Sequence, residues 1–289
     1  MEPYSKLVKE KGECIHTIFN QTLTATGRLS SSEPNLQNIP VREEEGKYLR
    51  KMFVSRFNDG QIISADYNQI ELRLLAAFSK DENLQLAYKN NKDIHLATAA
   101  QIFDKNLEDV TPNERSSAKA VNFGIIYGIS AYGLANQIGE TPKKAKYFID
   151  KYLNTYPKVK KYMNDNVRFA TLNNYIKTYC GRIRRIPELS SANKNIIQFG
   201  ERIAMNMPLQ GSASDIIKLA MINVNNEIKK LNLKSKLILQ IHDELIVDAP
   251  KDELEIVKQI LKNTMENVVK LEVPLTVNIS SGKTWFDAK

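Results

Sequence analysis

Two stretches of this chain end apolar runs with acids. Asp66 closes the run Ile62-Ile63-Ser64-Ala65, and Asp243 and Glu244 stand side by side in the segment Gln240–Pro250, QIHDELIVDAP. An acid delivered at the tip of a strand sits on a rigid element, which is what a metal ligand needs. Mg²⁺ suits such oxygen donors, taking one or two carboxylates and completing its shell with water and substrate phosphates. Two aspartates can bridge two such ions ~4 Å apart and stabilise both the attacking and the leaving oxygen of a phosphoryl displacement. Locally, Asp243 also reads as a plain turn residue, a position Asp favours. Against that, two adjacent acids repel each other, and a bulky His242 precedes them where Gly would be usual.

A second pattern is Arg115, Lys119, Phe123 and Tyr127, spaced four apart. On an α-helix that spacing makes a slowly turning stripe on one face. The segment opens with Thr111-Pro112-Asn113-Glu114, which combines a capping residue, proline at the first helical position and an acid in the first turn. Cations suit a triphosphate, and aromatic rings suit a base or sugar. The same four residues also read as solvated cations followed by core aromatics.

The elements that must carry these groups can be outlined. Asn58-Asp59-Gly60 is a turn signal, Gln61–Ala65 a strand, and the residues to Phe78 an amphipathic helix. Asn68 with Glu71 three residues on fits a capping box. Residues 1–40 read as strands near Cys14–Phe19 and Gln21–Thr24, then a polar loop holding Arg28. Helices are predicted at Glu82–Tyr88, Ile94–Phe103, Thr111 to near Gly128, Pro142–Asn154 and after Pro157. Tyr175–Tyr179 reads as a strand, and Arg182-Ile183-Arg184-Arg185 as a basic loop, either solvated or contacting phosphate. Helices over Asn195–Met207 and Gly211–Lys230 follow. Two strands, Lys236–Gln240 and Glu244–Asp248, then flank the acidic tip. A helix over Asp252–Lys270 and a strand at Leu275–Ile279 close the chain.

Across 289 residues, 41 Lys and Arg against 33 acids give a net charge of +8, a balance that favours a polyanionic partner, nucleic acid first. Cys14 and Cys180 form no CxxC, so neither a zinc site nor a disulfide framework is expected. Reduced, structural thiols in a cytosol-like compartment are. No apolar run approaches the ~18 residues of a membrane span, and the N-terminus lacks the apolar core of a secretory signal.

Five segments together resemble the family A DNA polymerases: 24–42 (TATGRLSSSEPNLQNIPVR), 66–73 (DYNQIELR), 115–128 (RSSAKAVNFGIIYG), 201–221 (ERIAMNMPLQGSASDIIKLAM) and 240–250 (QIHDELIVDAP). They occur in the family's order and span the chain nearly end to end. The resemblance implies an α+β right-hand polymerase fold. An antiparallel palm sheet would come from residues 1–69 and 196–289, with helical fingers inserted at 70–195 and the thumb absent from this chain. It implies addition of dNTPs to a primer 3′-OH, directed by a template, with two Mg²⁺ ions, away from membranes and in the bacterial cytoplasm at the nucleoid, with an organellar or phage origin as the alternative.

Position by position, the resemblance makes Asp66 and Asp243 metal ligands, with the Tyr67 backbone carbonyl as a further one and Glu244 an acid of secondary importance beside them. Arg115 and Lys119 match side chains that grip the triphosphate, and Lys119 is counted with the catalytic set. Gln69 and His95 match phosphate-side contacts. Phe123 matches the ring on the incoming sugar and base, Tyr127 the guard of the template-base position, and Glu71 the gate where a ribonucleotide 2′-OH would lie. Arg28, Asn206 and Gln210, with Arg202 and His242, match residues facing primer-template DNA. Two departures are visible: Asn68 stands where Ser is usual, and Ile183 interrupts a run of arginines. An alternative reading is a thumb-less DNA-binding fragment, or one part of a split polymerase that needs a thumb- or exonuclease-bearing segment or separate chain. A two-metal nuclease would leave the stripe from Arg115 to Tyr127 without a job.

Overall fold

The computed structural model describes residues 14–40 and 44–289. The chain begins with β1 (Ile18–Asn20), β2 (Ser30–Ser32), helix α1 (Glu44–Lys51) and β3 (Gln61–Tyr67). Seven helices follow: α2 (Ile70–Ser79), α3 (Glu82–Lys89), α4 (Ile94–Phe103), α5 (Pro112–Ile126), α6 (Ala131–Ile138), α7 (Pro142–Thr155) and α8 (Pro157–Asn173). Then come β4 (Tyr175–Lys177), β5 (Ile183–Arg185), the long helix α9 (Lys194–Lys230), β6 (Lys236–Ile241), β7 (Glu244–Ala249), α10 (Leu254–Glu266) and β8 (Val277–Gly282). The segments gather into two compact units. One holds the residues up to Asn68 with Ser214–Lys270 and Leu275–Lys289, the other Gln69–Ala213 with Leu271–Pro274. The mixed α+β class expected from the sequence is observed. No helix among the described residues is long and apolar enough to cross a membrane.

The first unit is built on a four-stranded sheet in the order β6-β7-β3-β8, antiparallel throughout. β3 lies inside it, and Ile62, Ile63, Ser64 and Ala65 are all buried. A run without alternation is what a strand covered on both faces requires. Ile62 joins Leu36, Ile39, Ile241, Ile246 and Trp285 in one cluster. Helix α10 also packs on β3 and β8, burying Leu254, Val257, Leu261 and Met265, the helical spacing of a one-sided apolar stripe. Trp285 fastens the end of the chain to this core. It is 1% exposed, its ring meets Phe53 edge-on at 5.3 Å, and its backbone N–H donates to the Phe53 carbonyl at 2.9 Å.

Several expectations need correction. The capping box at Asn68 does not start α2. The residue before the helix is Gln69, in left-handed backbone (φ 54°, ψ 44°) with no side-chain cap, so Asn68 lies one position too early. Gln21–Thr24 is not a strand, and the partner of β1 comes from the polar loop, with Phe19 opposite Ser31. Helix α6 was not anticipated. It is short, and its cap, Ser130 accepting from the Gly133 N–H, lies close behind the end of α5. The basic cluster Arg182–Arg185 includes β5, paired with β4. Both cysteines are exposed.

The expected break between Met207 and Gly211 is absent. α9 runs through Pro208, and the Ser212 hydroxyl donates to the Pro208 carbonyl. Ile203, Ala204 and Met207 pack with Ala170, Ile176 and Ile186 in the second unit's core, and this packing offsets the lost backbone bond. Gly211 is no helix stop. A Cβ there would lie 2.5 Å from Thr178 Cγ2, so glycine permits a close approach.

Trp285→Ala should destabilise the protein by about 3–5 kcal/mol, the range for truncating a buried aromatic. The midpoint of urea unfolding measures it, and an unchanged midpoint would remove Trp285 from the core.

Candidate active site

In the first unit the acids meet at one end of the sheet. Asp66 is directly opposite Glu244 on β7 and Asn278 on β8. The β6–β7 hairpin turns at His242 and Asp243, with His242 in left-handed backbone (φ 52°). The Tyr67 N–H donates to the Asp243 carbonyl at 3.1 Å, stitching the hairpin tip to the end of β3. The Gln240 side chain donates to the His242 carbonyl, bracing the turn from inside. Tyr67 is buried, and its hydroxyl donates to the Met265 carbonyl at 2.7 Å. Its phenol is accordingly pushed well above the ordinary range by burial.

The electrostatics of this end follow from crowded carboxylates. Asp66 keeps its side chain open to solvent, yet partial desolvation by the surrounding protein first, and then the charge of Glu244, raise it to about 6, with Lys289 pulling the other way. Asp243 is also raised by burial, opposed by the positive charge of Arg28 and by His242. Burial and Arg28 in turn lower His242. Arg28, expected to face DNA, therefore also acts on the acidic hairpin. Glu244 is buried with both oxygens engaged. Ser64 donates to Oε1 at 2.5 Å, and Lys289 Nζ lies 2.9 Å from Oε2. Sequence reasoning missed Ser64 and Lys289, because a serine in a strand and a lysine beyond the last apolar cluster carry no local signal.

Among the described residues, no three or more His, Cys, Asp or Glu side chains form a group that could hold a metal ion by themselves. The donor set at Asp66 and Asp243 nevertheless fits Mg²⁺, which takes few protein carboxylates and keeps waters and phosphate oxygens. A carboxylate raised by desolvation and by a neighbouring anion lacks counter-charge, and a divalent cation supplies it.

The stripe lies in the second unit. Thr111 accepts from the Glu114 N–H and the Glu114 carboxylate accepts from the Thr111 N–H, a complete capping box with Pro112 at the first turn. Lys105 adds an ion pair to Glu114 at 2.8 Å. Arg115 pairs with Asp93 at 2.8 Å, and Asp93 itself caps α4 by accepting from the N–H groups of His95 and Leu96. Lys119 is exposed and makes no ion pair among the described residues. Phe123 is half-buried, its ring 5.8 Å from that of His95. Tyr127 ends the helix, and its hydroxyl donates to Glu71 Oε2 at 3.0 Å. Glu71 is thus buried against Tyr127 rather than acting as the expected helix cap.

Phe123, Tyr127 and Arg202 line a recess of about 520 Å³ together with Gly128. Gly128 has φ +62°, and a Cβ there would meet Met205 Cε at 2.7 Å. Arg202, Asn206 and Gln210 are four apart on α9 and so share a face. Asn206 Nδ2 reaches the Ile126 carbonyl at 3.5 Å. Gln69 and His95, far apart in sequence, come together at 3.3 Å. Tyr88 donates to Gln69 Oε1 at 3.0 Å. Burial lowers His95 to about 4, against the opposing charge of Asp93, so its ring is neutral near pH 7.

Residues 1–287 match the profile of DNA polymerase family A. The chain is 55% identical to the DNA polymerase I of Caldicellulosiruptor bescii over 275 residues, covering 95% of this chain and 32% of that one. It is 52% identical to the DNA polymerase I of Bacillus subtilis over 289 residues, covering 100% and 33%. The chain thus spans about a third of the length of these relatives. The solved POL domain of Pol1 from M. smegmatis, in complex with DNA primer-template and dNTP, superposes with a TM-score of 0.94 at 41% identity, covering 99% of this chain and 50% of that one.

A carboxyl raised from its ordinary 3.8 to about 6 is protonated more readily in the folded state. Its contribution to stability is fully present below about pH 4 and is lost as the pH rises through 6. Asp66→Asn removes that loss. Because the side chain is exposed and solvent screens part of the effect, the melting temperature of Asp66→Asn should match the parent near pH 4 and exceed it by a small margin at pH 7. Equal values at both pH values would show that Asp66 carries no such burden.

Proposed function

The chain belongs to DNA polymerase family A, and from that membership we propose that it is the palm and fingers of a DNA polymerase that adds dNTPs to a primer 3′-OH under template direction. Residues 1–69 and 196–289 would form the palm and 70–195 the fingers. The observation that carries the reading is the meeting of Asp66 and Asp243 at one end of the sheet, joined through the Tyr67 N–H.

Asp66 and Asp243, with the Tyr67 carbonyl, would hold two Mg²⁺ ions. When bound, these supply Lewis-acid activation of the primer hydroxyl and neutralise charge on the triphosphate. Glu244, fixed by Ser64 and Lys289, sets the field around the pair. Arg115 and Lys119 grip the phosphates, and Lys119 carries an uncommitted ammonium for the departing pyrophosphate. Gln69 and the neutral His95 add hydrogen bonds on the phosphate side. Phe123 packs on the incoming sugar and base. Tyr127 guards the template-base position, and its bond to Glu71 holds the gate against a 2′-OH. Arg28, Arg202, Asn206, Gln210 and His242 face the primer-template. Minor-groove acceptors are nearly alike among correct pairs, so such contacts test pair shape without reading sequence.

A second reading is favoured by the share of the relatives that the chain covers, about a third. This segment would need the rest of a longer polypeptide, or a separate chain, for duplex affinity. Such affinity is salt-dependent, so extension at low salt, with and without the remaining segment of a relative, separates the two.

Asp66→Asn and Asp243→Asn should each reduce primer extension by about 10³-fold or more, on the scale of losing a key charge-stabilising group. Circular dichroism should be unchanged. Near-normal extension by either variant would overturn the two-metal assignment.

Glu71→Ala should raise ribonucleotide incorporation relative to deoxynucleotide in single-nucleotide assays. No gain would leave Glu71 only as the partner of Tyr127.

A further inference from the structure

The buried polar chain behind His95 has no place in the roles above. Asn122 Nδ2 lies 2.9 Å from His95 Nδ1. The Thr98 hydroxyl donates to Asn122 Oδ1 at 3.1 Å. Thr98 and Asn122 are 0% exposed and His95 2%. On the other side of the ring, Nε2 faces the Gln69 amide at 3.3 Å.

A neutral imidazole has one N–H and one acceptor nitrogen. Its two nitrogens therefore cannot both accept from amide N–H groups, and one of the flanking amides must present its oxygen. Asn122 is sealed in the core, its oxygen already receiving the Thr98 hydroxyl, and its contact with the ring is the shorter of the two. Gln69 is only half-buried, at the start of α2. Its oxygen receives the Tyr88 hydroxyl, which can accept instead of donate when the amide turns, and its longer contact with the ring leaves room for that turn. The amide with less freedom decides, so Nδ1 accepts and the proton resides on Nε2.

We propose that Asn122, backed by Thr98, is a positioning residue that fixes His95 in the Nε2–H tautomer with that N–H directed toward Gln69. A donor on this side is what a phosphate oxygen requires, whereas the opposite tautomer would present a lone pair to an anion. In the free protein Gln69 occupies the donor, and an arriving triphosphate exchanges one acceptor for another. Burial keeps the ring neutral, so the tautomer, and not the charge, decides what the ring can bind. The link to nucleotide binding rests on the reading of His95 as a phosphate contact, while the tautomer assignment does not.

The chain has three histidines, few enough for ¹⁵N-histidine labelling and long-range ¹H–¹⁵N correlation spectra. His95→Gln identifies the His95 signals by their loss. The parent protein should show an acceptor-type Nδ1 and a protonated Nε2 at His95. Asn122→Leu should mix the tautomers and Asn122→Asp should move the proton to Nδ1, while Thr98→Ser, which keeps the hydroxyl, should keep the parental pattern. An Nδ1-protonated ring in the parent protein overturns the proposal even if no variant folds, as does a parental pattern in folded Asn122→Leu. In primer extension, Asn122→Leu should raise the KM for dNTP about tenfold, the scale of one hydrogen bond to a charged group, with a smaller change in kcat. If the parent chain shows the expected tautomer but extends no primer, the functional reading fails and the relay stands.

Discussion

The pairing of β7 with β3 is the constraint on which the rest depends. It places Glu244 opposite Asp66, and the Tyr67 N–H then captures the Asp243 carbonyl. A slip of one residue would turn every β7 side chain to the other face. Asp66 would lose its neighbour, and Leu245, Ile246 and Val247, all buried, would exchange the faces on which they pack. The register is therefore held by the whole core of the first unit, and the acids inherit their position from it. His242 bears the cost of this tight join in a left-handed backbone, braced by the Gln240 side chain, which is itself held by Gln37 at 3.1 Å.

Gathering three acids at one sheet end is unfavourable, and the surroundings offset it unevenly. Glu244 is fully supplied by Ser64 and Lys289, and Arg28 eases Asp243. Asp66 is left raised. On the proposed two-metal reading, a site that satisfies its supporting acid and leaves its aspartates short of positive charge would suit a cation that arrives with substrate. The second unit treats charge differently. Asp93 both caps α4 and holds Arg115, and these contacts are exposed enough for solvent to weaken them. Arg115 can therefore leave Asp93 for a phosphate at little cost.

Much of this was legible locally. The start of α5 was written in Thr111-Pro112-Asn113-Glu114, because capping is chemistry within one turn. The acidic hairpin was visible as two apolar runs around a polar tip, and β3 as an apolar run behind Asp-Gly. Where local signals misled, long-range packing had overruled them. Pro208 and Gly211 looked like a break, yet the core around Met207 carries the helix through, and Gly211 makes room for Thr178. Asn68 and Glu71 spelled a capping box, but Glu71 bonds to Tyr127, a residue 56 positions away.

The sequence by itself determined the inventory: which acids end strands, which cations and rings share a helix face, and the family they resemble. Side-chain chemistry and helix period are properties of neighbouring residues, so they need no fold to be read. Only the tertiary structure decided who meets whom. Lys289 reaches Glu244, Gln69 reaches His95, and Asn122 closes over the far side of the same ring. Each pair joins residues distant in the chain through burial, and burial gives no periodic signal. The protonation of Asp66 and of His95 was likewise out of reach, because both are governed by desolvation, which exists only once the chain has packed.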